Sequence, residues 1–315
     1  MNANNTVRLS RCLGGRALQI TFFLFSIALL PVRASENVPH RPYAQWADLP
    51  KPGQFVVGLV YEESEAYRIW AGRDMHNVTT KADGENYGID INQGYIALQY
   101  GLARKWALDL NVGYTSAGWR FFDNGKVSST TGLMDTSLGV RYEICAEGDT
   151  EQAWLPTLVF RAGAVLPGTF NQDFAFAPGT RSAAVEPEIL FRKHVGWTGF
   201  GVYGDALFRW NRTTANDQYM TVIGLFQQIK NWELVGGWRH MQSISGDDIV
   251  LNPDNTIDYP RSVREINDSI EAGFSYTTKR RKLRFAFNTR TVFDGSNTDK
   301  KFWFGGSIDI PFDFK

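Results

Sequence analysis

The sequence predicts an all-β protein: a transmembrane antiparallel β-barrel of about 12 strands, behind a cleaved N-terminal signal peptide. Three observations lead to this prediction. Apolar and polar residues alternate with a period of two through most of the chain, the connections between these segments alternate in length, and an apolar run follows a basic N-terminus. Composition agrees, because 30 Gly together with 10 Trp, 12 Tyr and 22 Phe favour strands and tight turns over helices.

The first 34 residues resemble a secretory signal peptide. Arg8, Arg11 and Arg16 precede a 14-residue apolar run, 17–30, which is too short to span a bilayer comfortably. Small residues at the −3 and −1 positions, Val32 and Ala34, form a cleavage site before residue 35. The alternative is an uncleaved single-span anchor. The prediction is an exported protein with a mature chain that begins at residue 35.

Charge and cysteine content restrict what the mature chain can do. The whole chain has 33 basic and 33 acidic residues, and removal of the signal leaves 29 and 33, so no basic excess exists for nucleic acid. A mean hydropathy of −0.28 excludes a bundle of membrane-spanning helices. Cys145 is the one cysteine left, which excludes an internal disulfide, and the four histidines are too scattered for a zinc site.

Alternation defines about twelve strand segments between residue 53 and the C-terminus. In one of them Leu108, Leu110 and Val112 share a face opposite Asp109 and Asn111. Most segments run for about 10 to 15 residues, which suffices for a tilted strand to cross a bilayer. The segments are 53–61, 87–101, 106–115, 132–145, 154–166, 183–192, 197–211, 218–227, 232–241, 266–277, 283–293 and 301–314.

The connections indicate a membrane barrel. Segments 1, 3, 5 and 9 are followed by roughly 16 to 25 residues, whereas segments 2, 6, 8 and 10 are followed by about 4 or 5. Long external loops and short periplasmic turns are typical of outer-membrane barrels. A soluble β-sandwich or a lipocalin-like barrel is the alternative, since these also alternate.

Two further patterns favour the membrane form. Charged residues and glycines share the polar face of almost every segment, as a water-filled lumen requires, and tryptophans near strand ends predict interfacial girdles. The last segment alternates into Phe314, one residue before the end of the chain, whereas bacterial outer-membrane barrels typically finish on such an aromatic. The girdle candidates are Trp70, Trp106, Trp154, Trp197, Trp232 and Trp303.

Three motifs resemble a known family. The stretch 132–142 (Gly-Leu-Met-Asp-Thr-Ser-Leu-Gly-Val-Arg-Tyr), the segments Trp-Leu-Pro-Thr at 154–157 and Arg-Ala-Gly-Ala-Val-Leu-Pro at 161–167, and the turn Phe-Asp-Gly-Ser-Asn-Thr at 293–298 are similar to the outer-membrane transporter-like barrels named for the meta-pathway of phenol degradation. Met134 stands where that family has a second Gly. The resemblance covers most of residues 85–315, and the group is distantly like the long-chain fatty-acid channels. It implies a barrel in the bacterial outer membrane.

Charged residues of the inward face are the candidate functional residues. Charges inside a barrel must be paired or hydrated, so they either form a structural ion-pair network or line a path that selects a solute. The strand pattern predicts that the lumen is lined by Asp109, Asp135, Arg141, Glu143, Arg161, Glu186, Glu188, Asp205, Arg209, Glu233, Arg239, Glu271, Arg284 and Arg290.

The sequence offers no catalytic, cofactor or metal site. Outer-membrane phospholipase A, another twelve-stranded barrel, has a His-x-Ser-Asn pattern, and neither His76, His194 nor His240 lies in one. The expected partners are outer-membrane lipid and lipopolysaccharide, the barrel-assembly machinery during insertion, and a small-molecule solute, with no nucleic acid.

Two functions are consistent with these patterns. The first is a porin-like channel for passive uptake of small solutes, hydrophobic or aromatic ones included. The alternative is a structural or adhesive barrel that acts through its long external loops, chiefly 62–86 and 242–265. The proline-rich arm at 35–52 precedes the barrel and is predicted to be either a plug of the lumen, with Tyr43 and Trp46 in the bore, or a periplasmic tail.

Overall fold

The computed structural model describes a closed antiparallel β-barrel of twelve strands, which confirms the predicted fold class. It describes residues 47–77, 88–120, 127–148, 155–171, 177, 179–195, 198–212, 215–251, 257–258, 262–280 and 282–313. The proposed signal peptide, Tyr43, Trp46 and Phe314 lie outside these ranges. Among the described residues, no helix is long and apolar enough to cross a membrane.

Each barrel strand pairs with its neighbours in chain order, and β1 pairs with the last strand from Gln54↔Asp313 to Glu65↔Phe302 to close the sheet. The barrel strands are β1 (Gln54–Ala71), β3 (Ile89–Ala103), β4 (Trp106–Arg120), β6 (Thr136–Cys145), β7 (Thr157–Leu166), β8 (Ala184–His194), β9 (Phe200–Asn211), β10 (Gln218–Ile229), β11 (Trp232–Ser243), β14 (Ile266–Thr277), β15 (Arg284–Ser296) and β16 (Asp299–Asp313).

Four short strands belong to the loops at one end of the barrel. They are β2 (Asp74–Asn77), which pairs with the end of β1, β5 (Val127–Leu133), which continues the line of β6 along β4, and the separate pair β12 (Val250–Leu251) and β13 (Ile257–Asp258). Both described ends of the chain lie at the opposite end, where the connections between barrel strands are shorter on average, although the two-residue turn after Ser296 lies at the loop end. This pattern assigns the opposite end to the periplasm.

The first strand is longer than the sequence predicted. A loop was expected from residue 62, but β1 runs on to Ala71 and pairs with β3 as far as Ala66. The reason is that alternation continues past residue 61: Ser64 and Ala66 are buried, whereas residues 65 and 67, which follow them in turn, are exposed. The loop between β1 and β3 begins correspondingly later.

The barrel turns its apolar faces outward. On the outward face of β4, Leu108 and Val112 are 38% and 39% exposed. On the inward face of the same strand, Asp109 and Thr115 are only 8% and 0% exposed. A soluble barrel has the opposite arrangement, because its apolar face points into the core. An apolar outer wall of this kind requires lipid around it.

The six tryptophans predicted to lie in the interfacial girdles divide into three groups. Trp106 and Trp232 are exposed at the periplasmic strand ends, where they pack on Tyr142 and Tyr276 at 4.6 and 4.9 Å between ring centroids. They form part of an interfacial girdle, as predicted. For Trp70 and Trp303 the girdle prediction was wrong: the first is buried under the external loops and the second points into the barrel. Residues 154 and 197 lie outside the described ranges.

The external loops are joined by the turn between β15 and β16. Asn297 adopts a left-handed conformation (φ 52°), which asparagine tolerates better than most residues. Its Oδ1 accepts hydrogen bonds from the backbone of Gly72 and Ile249, and its Nδ2 donates to Asp248 and to the carbonyl of Arg264. This residue lies in the Gly-Ser-Asn-Thr turn noted in the sequence, and it connects the loop after β1 to the loop after β11.

Candidate functional site: the barrel lumen

The interior contains a cavity of about 490 Å³ that extends from the middle of the barrel toward its external end. At the periplasmic end the interior is filled instead, by Tyr203, Val222 and Phe226 on one wall and by Val159 and Leu190 on another. The space available to a solute is therefore widest toward the outside. The cations on the cavity wall are Arg141, Arg161, Arg209, Arg239, Arg290 and Lys301, and the carboxylates are Asp109, Glu186, Glu265 and Asp299.

One ion-pair network crosses five neighbouring strands, from β4 to β9. Arg161 on β7 is at its centre: its Nη2 lies 2.9 Å from Asp109, and its Nη1 lies 3.4 Å from both Glu186 and Glu188. The guanidinium of Arg141 lies 3.3 Å from Asp109, and that of Arg209 lies 2.6 Å from Glu186. Alternate residues of adjacent strands meet here because they point to the same face.

Two smaller clusters occupy the opposite wall. Arg284 on β15 lies 2.9 Å from Glu233 on β11 and 3.5 Å from Asp309 on β16. Glu271 on β14 accepts a hydrogen bond from the Tyr203 hydroxyl and lies 3.6 Å from Arg239. Asp205 is buried in the interior as well, at 5% exposure. The structure thus brings most of the sequence-derived lumen residues into three clusters.

Four of those residues lie outside the three clusters: Asp205, Arg290, Glu143 and Asp135. Glu143 is half-buried near the periplasmic end of β6, where its backbone N–H donates to the carbonyl of Lys105. Asp135 lies in the break between β5 and β6 and accepts hydrogen bonds from the backbone N–H groups of Gly168, Thr180 and Arg181. Its carboxylate is therefore occupied by the loop after β7. The alternation pattern gave no sign of this contact, since it depends on a loop 33 to 46 residues away.

The described part of that loop packs on the inner face of the barrel wall. A Cβ on Gly132, which is paired with the inward-facing Thr115, would overlap the backbone of residues 169 and 170. Thr169 exchanges two hydrogen bonds with Leu133, and Phe170 is fully buried. Residues 168–171 therefore reduce the width of the lumen in its external half.

We expect Asp135→Ala to release this loop, because three backbone donors lose one shared acceptor. Planar-bilayer recording should show larger or noisier single-channel current for the variant than for the wild type. Asp294→Ala is the matched control, since the Asp294 carboxylate accepts a bond from the N–H of Gly295, its own neighbour. Identical current in Asp135→Ala and the wild type would show that residues 168–171 do not restrict the lumen.

Several interior residues were missed by the sequence reasoning. Trp303 faces inward beneath Arg290, whose guanidinium carbon lies 4.0 Å from the centre of the indole ring. Lys301 lies 2.6 Å from Asp299 on the same strand, and Tyr95 donates to Glu62 across 3.4 Å. The strand pattern held the signal for Trp303, because it lies between the outward-facing Phe302 and Phe304.

The described end of the N-terminal arm contacts the periplasmic part of the lumen. Ala47 is fully buried in a cluster with Val159 and Leu190, against which Leu49 also packs. Asp48 lies 2.6 Å from Arg192, near the periplasmic end of β8. The arm then passes so close to β3 that a Cβ on Gly101 would overlap the backbone of residues 50 and 51.

A polar clamp lies at the periplasmic mouth. Glu147, in the connection after β6, accepts hydrogen bonds from Lys193 Nζ at 2.7 Å and from the backbone of His194, and it contacts His194 Nδ1 at 2.8 Å. Burial by itself would raise the pKa of Glu147, but the hydrogen bonds from Lys193 and His194 outweigh it and lower the pKa from 4.5 to about 2.

The clamp predicts a pH dependence with a definite sign. Because the pKa of Glu147 is lower in the folded state, its contribution to stability is complete above pH 4.5 and is lost as pH falls toward about 2. Hydrogen exchange at residues 192–195, corrected for intrinsic rates, should stay slow from pH 7 to 5 and accelerate below that window. Glu147→Gln should exchange faster than the wild type from pH 7 to 5, and the two proteins should converge as pH falls toward about 2. A variant with the wild-type profile would contradict this role.

Among the described residues, no three His, Cys, Asp or Glu side chains form a group that would hold a metal ion. The side chains that line the cavity offer charged pairs, guanidinium groups, and aromatic and thioether surfaces.

Comparison with known proteins supports the fold. No family model matches the sequence, and no curated protein matches it. The structure is similar to the COG4313 outer membrane channel from Pseudomonas putida F1, with a TM-score of 0.65 and 16% identity over 88% of this chain and 100% of that one. This similarity supports the closed β-barrel fold, and with the apolar outer wall it is consistent with the expected location in the bacterial outer membrane.

Similarity to other barrels is weaker. The β domain of the Bordetella autotransporter BrkA aligns with a TM-score of 0.49 and 12% identity over 82% of this chain and 100% of that one. A mutant of the TodX monoaromatic hydrocarbon channel aligns with a TM-score of 0.43 and 9% identity over 85% and 92% of the two chains. These two scores are too low to bear on the fold or on function.

Proposed function

We propose that the protein is a channel for passive uptake of small solutes across the bacterial outer membrane. The observation that carries this proposal is the cavity of about 490 Å³, which has charged walls and lies inside a closed barrel whose outer wall is apolar. A barrel that served only as an anchor for its loops would not need open space lined by ten ionisable side chains. The similar fold of a protein described as an outer membrane channel supports the proposal.

The family assignment is part of the same proposal. The motif at 132–142 and the turn at 293–298 support membership of the transporter-like barrels named for the meta-pathway of phenol degradation. In the structure both motifs contribute to loop anchoring, the first through Asp135 and the second through Asn297. The first motif also contributes Ser137 and Arg141 to the cavity wall. The two motifs support the fold and compartment of that family and leave the solute open.

Uptake into proteoliposomes tests the channel. We expect vesicles that contain the folded protein to take up single-ring and other small solutes faster than empty vesicles, with a steep decline as solute size exceeds the 490 Å³ cavity. Vesicles with heat-denatured protein are the control. Equal uptake by folded and denatured samples would favour the alternative, in which the barrel acts through its external loops.

We also propose that residues 35–52 enter the lumen from the periplasmic side as a plug. The contacts of Ala47 and Asp48 with the inner face of β7 and β8 support this placement, because a free tail would leave Arg192 without its ion pair and Leu190 uncovered. Four prolines, at 39, 42, 50 and 52, prevent the segment from joining the sheet as a regular strand.

Deletion of residues 36–50 from the mature protein separates a plug from a tail. A plug predicts larger or noisier bilayer current after deletion, because the filled periplasmic end of the barrel opens. A matched variant, Asp48→Asn, should show a smaller change in the same direction, since it weakens one ion pair and keeps the chain in place. Identical current in all three proteins would show that the arm is a periplasmic tail.

A further inference from the structure

The lumen holds one cationic group whose surroundings differ from those of the others. Six cations line the cavity, and five of them have a carboxylate within 3.6 Å: Arg141, Arg161, Arg209, Arg239 and Lys301. Within the described parts of the chain, no carboxylate lies within 4.0 Å of the sixth, Arg290. Glu62 and Glu271 interact with it at longer range, and Glu62 is hydrogen-bonded to Tyr95.

No residue in the described part of the chain forms a hydrogen bond or ion pair with the Arg290 guanidinium. The guanidinium carbon lies 4.0 Å above the centre of the Trp303 ring, which is within the range of a cation–π contact. A guanidinium donates in its own plane, and stacking on an aromatic face leaves those N–H groups available for a bidentate contact with a carboxylate. Both side chains are half-buried and line the cavity.

Apolar surface lies on the walls of the same cavity. Met220 on β10 is paired in register with Met241 on β11, and both line the cavity together with Leu207. Methionine side chains adapt to ligands of different shape and pack well on aromatic rings. A space of about 490 Å³ is within the range of small-molecule sites, which runs from about 300 to 1,000 Å³.

We propose that Arg290 and Trp303 form a binding site for a small organic anion, a monocarboxylate that carries a single ring or a similarly compact apolar group. The carboxylate binds the guanidinium N–H groups of Arg290, and the apolar group lies against Met220, Met241 and Leu207. This proposal deepens the channel function and rests on it for its physiological meaning, because it names the chemical class of the solute that would pause in the lumen.

Calorimetric titration of the protein purified from outer membranes in a zwitterionic detergent tests the site with benzoate as the probe. We expect wild-type protein to bind benzoate at least about tenfold more tightly than benzyl alcohol, which has the same ring without the charge. Arg290→Gln should weaken benzoate binding by about tenfold or more, and Arg290→Lys, which keeps the charge without the planar fork, should weaken it by less.

Arg209→Gln is the matched control. It removes the same charge from the same cavity, but the Arg209 guanidinium is already bound to Glu186, so benzoate affinity should stay within about threefold of the wild type. Slower migration of boiled than of unboiled samples on SDS gels verifies folding of each variant. If Arg290→Gln does not fold, Arg290→Lys alone decides, because unchanged affinity in that variant would overturn the site.

Three results would overturn the proposal: no benzoate binding by the wild type, equal binding of benzyl alcohol and benzoate, or equal losses in Arg290→Gln and Arg209→Gln. Because binding is measured without transport, these results are distinct from failure of the channel. A protein that binds benzoate through Arg290 but supports no uptake would retain the site and contradict the channel, and the converse would contradict the site alone.

Discussion

Leu110→Arg should lower the free energy of unfolding in a bilayer by about 2–4 kcal/mol. Leu110 lies at the centre of the outward row of β4, between Trp106 and Leu108 on one side and Val112 and Tyr114 on the other. The middle of that row faces the hydrocarbon core, where an arginine has no partner and little water. Urea unfolding of protein refolded in lipid vesicles measures the change.

The position along the same row provides the control. Tyr114→Arg places the same charge near the external interface, where the cost should be about 0–1 kcal/mol because the side chain reaches water and lipid headgroups. If Leu110→Arg were as stable as Tyr114→Arg, the outward row would not lie in hydrocarbon, and the barrel would be a soluble one.

Arg161→Met should destabilise the barrel by about 3–5 kcal/mol, the usual effect when one partner of a buried ion-pair network is removed. The Arg161 side chain is 5% exposed and lies between Asp109, Glu186 and Glu188, so its loss leaves three carboxylates close together without their shared cation. The same urea titration, together with the temperature at which the unboiled band is lost on SDS gels, measures the effect.

Arg264→Met is the matched control. Arg264 also forms an ion pair, with Asp248 at 3.1 Å, but its side chain is 51% exposed in an external loop. Exposed pairs contribute about 0–1 kcal/mol, so this variant should unfold almost like the wild type. Equal stability of the two variants would mean that water in the lumen screens the Arg161 network as fully as bulk solvent screens the loop pair.

Much of the fold was predictable because strand alternation is a local property. The face on which each residue lies follows from counting by two, and an interruption such as residues 134–135 shifts the count only locally. For this reason the sequence placed Asp109 and Arg161 on the same face. It also implied that Trp303 points inward, although proximity to a strand end suggested a girdle position.

The partners of each lumen charge were not predictable in the same way. Asp109 and Arg161 are 52 residues apart and meet only because two antiparallel pairings, β4 with β6 and β6 with β7, bring them onto one curved wall. The loop contact that occupies Asp135 and the contact of Leu49 with Leu190 depend on segments that fold over the wall, and no periodic pattern encodes them. The isolation of Arg290 from carboxylates likewise emerges only when the barrel closes.

Single-channel recording in planar bilayers tests the central conclusion most directly. Twelve strands enclose a bore narrower than that of a sixteen-stranded porin, and here side chains and loop residues 168–171 reduce it further. We therefore expect discrete current steps of small conductance from protein that is folded by the SDS-gel criterion. Folded protein that inserts into the bilayer and gives no steps at any voltage would contradict a channel.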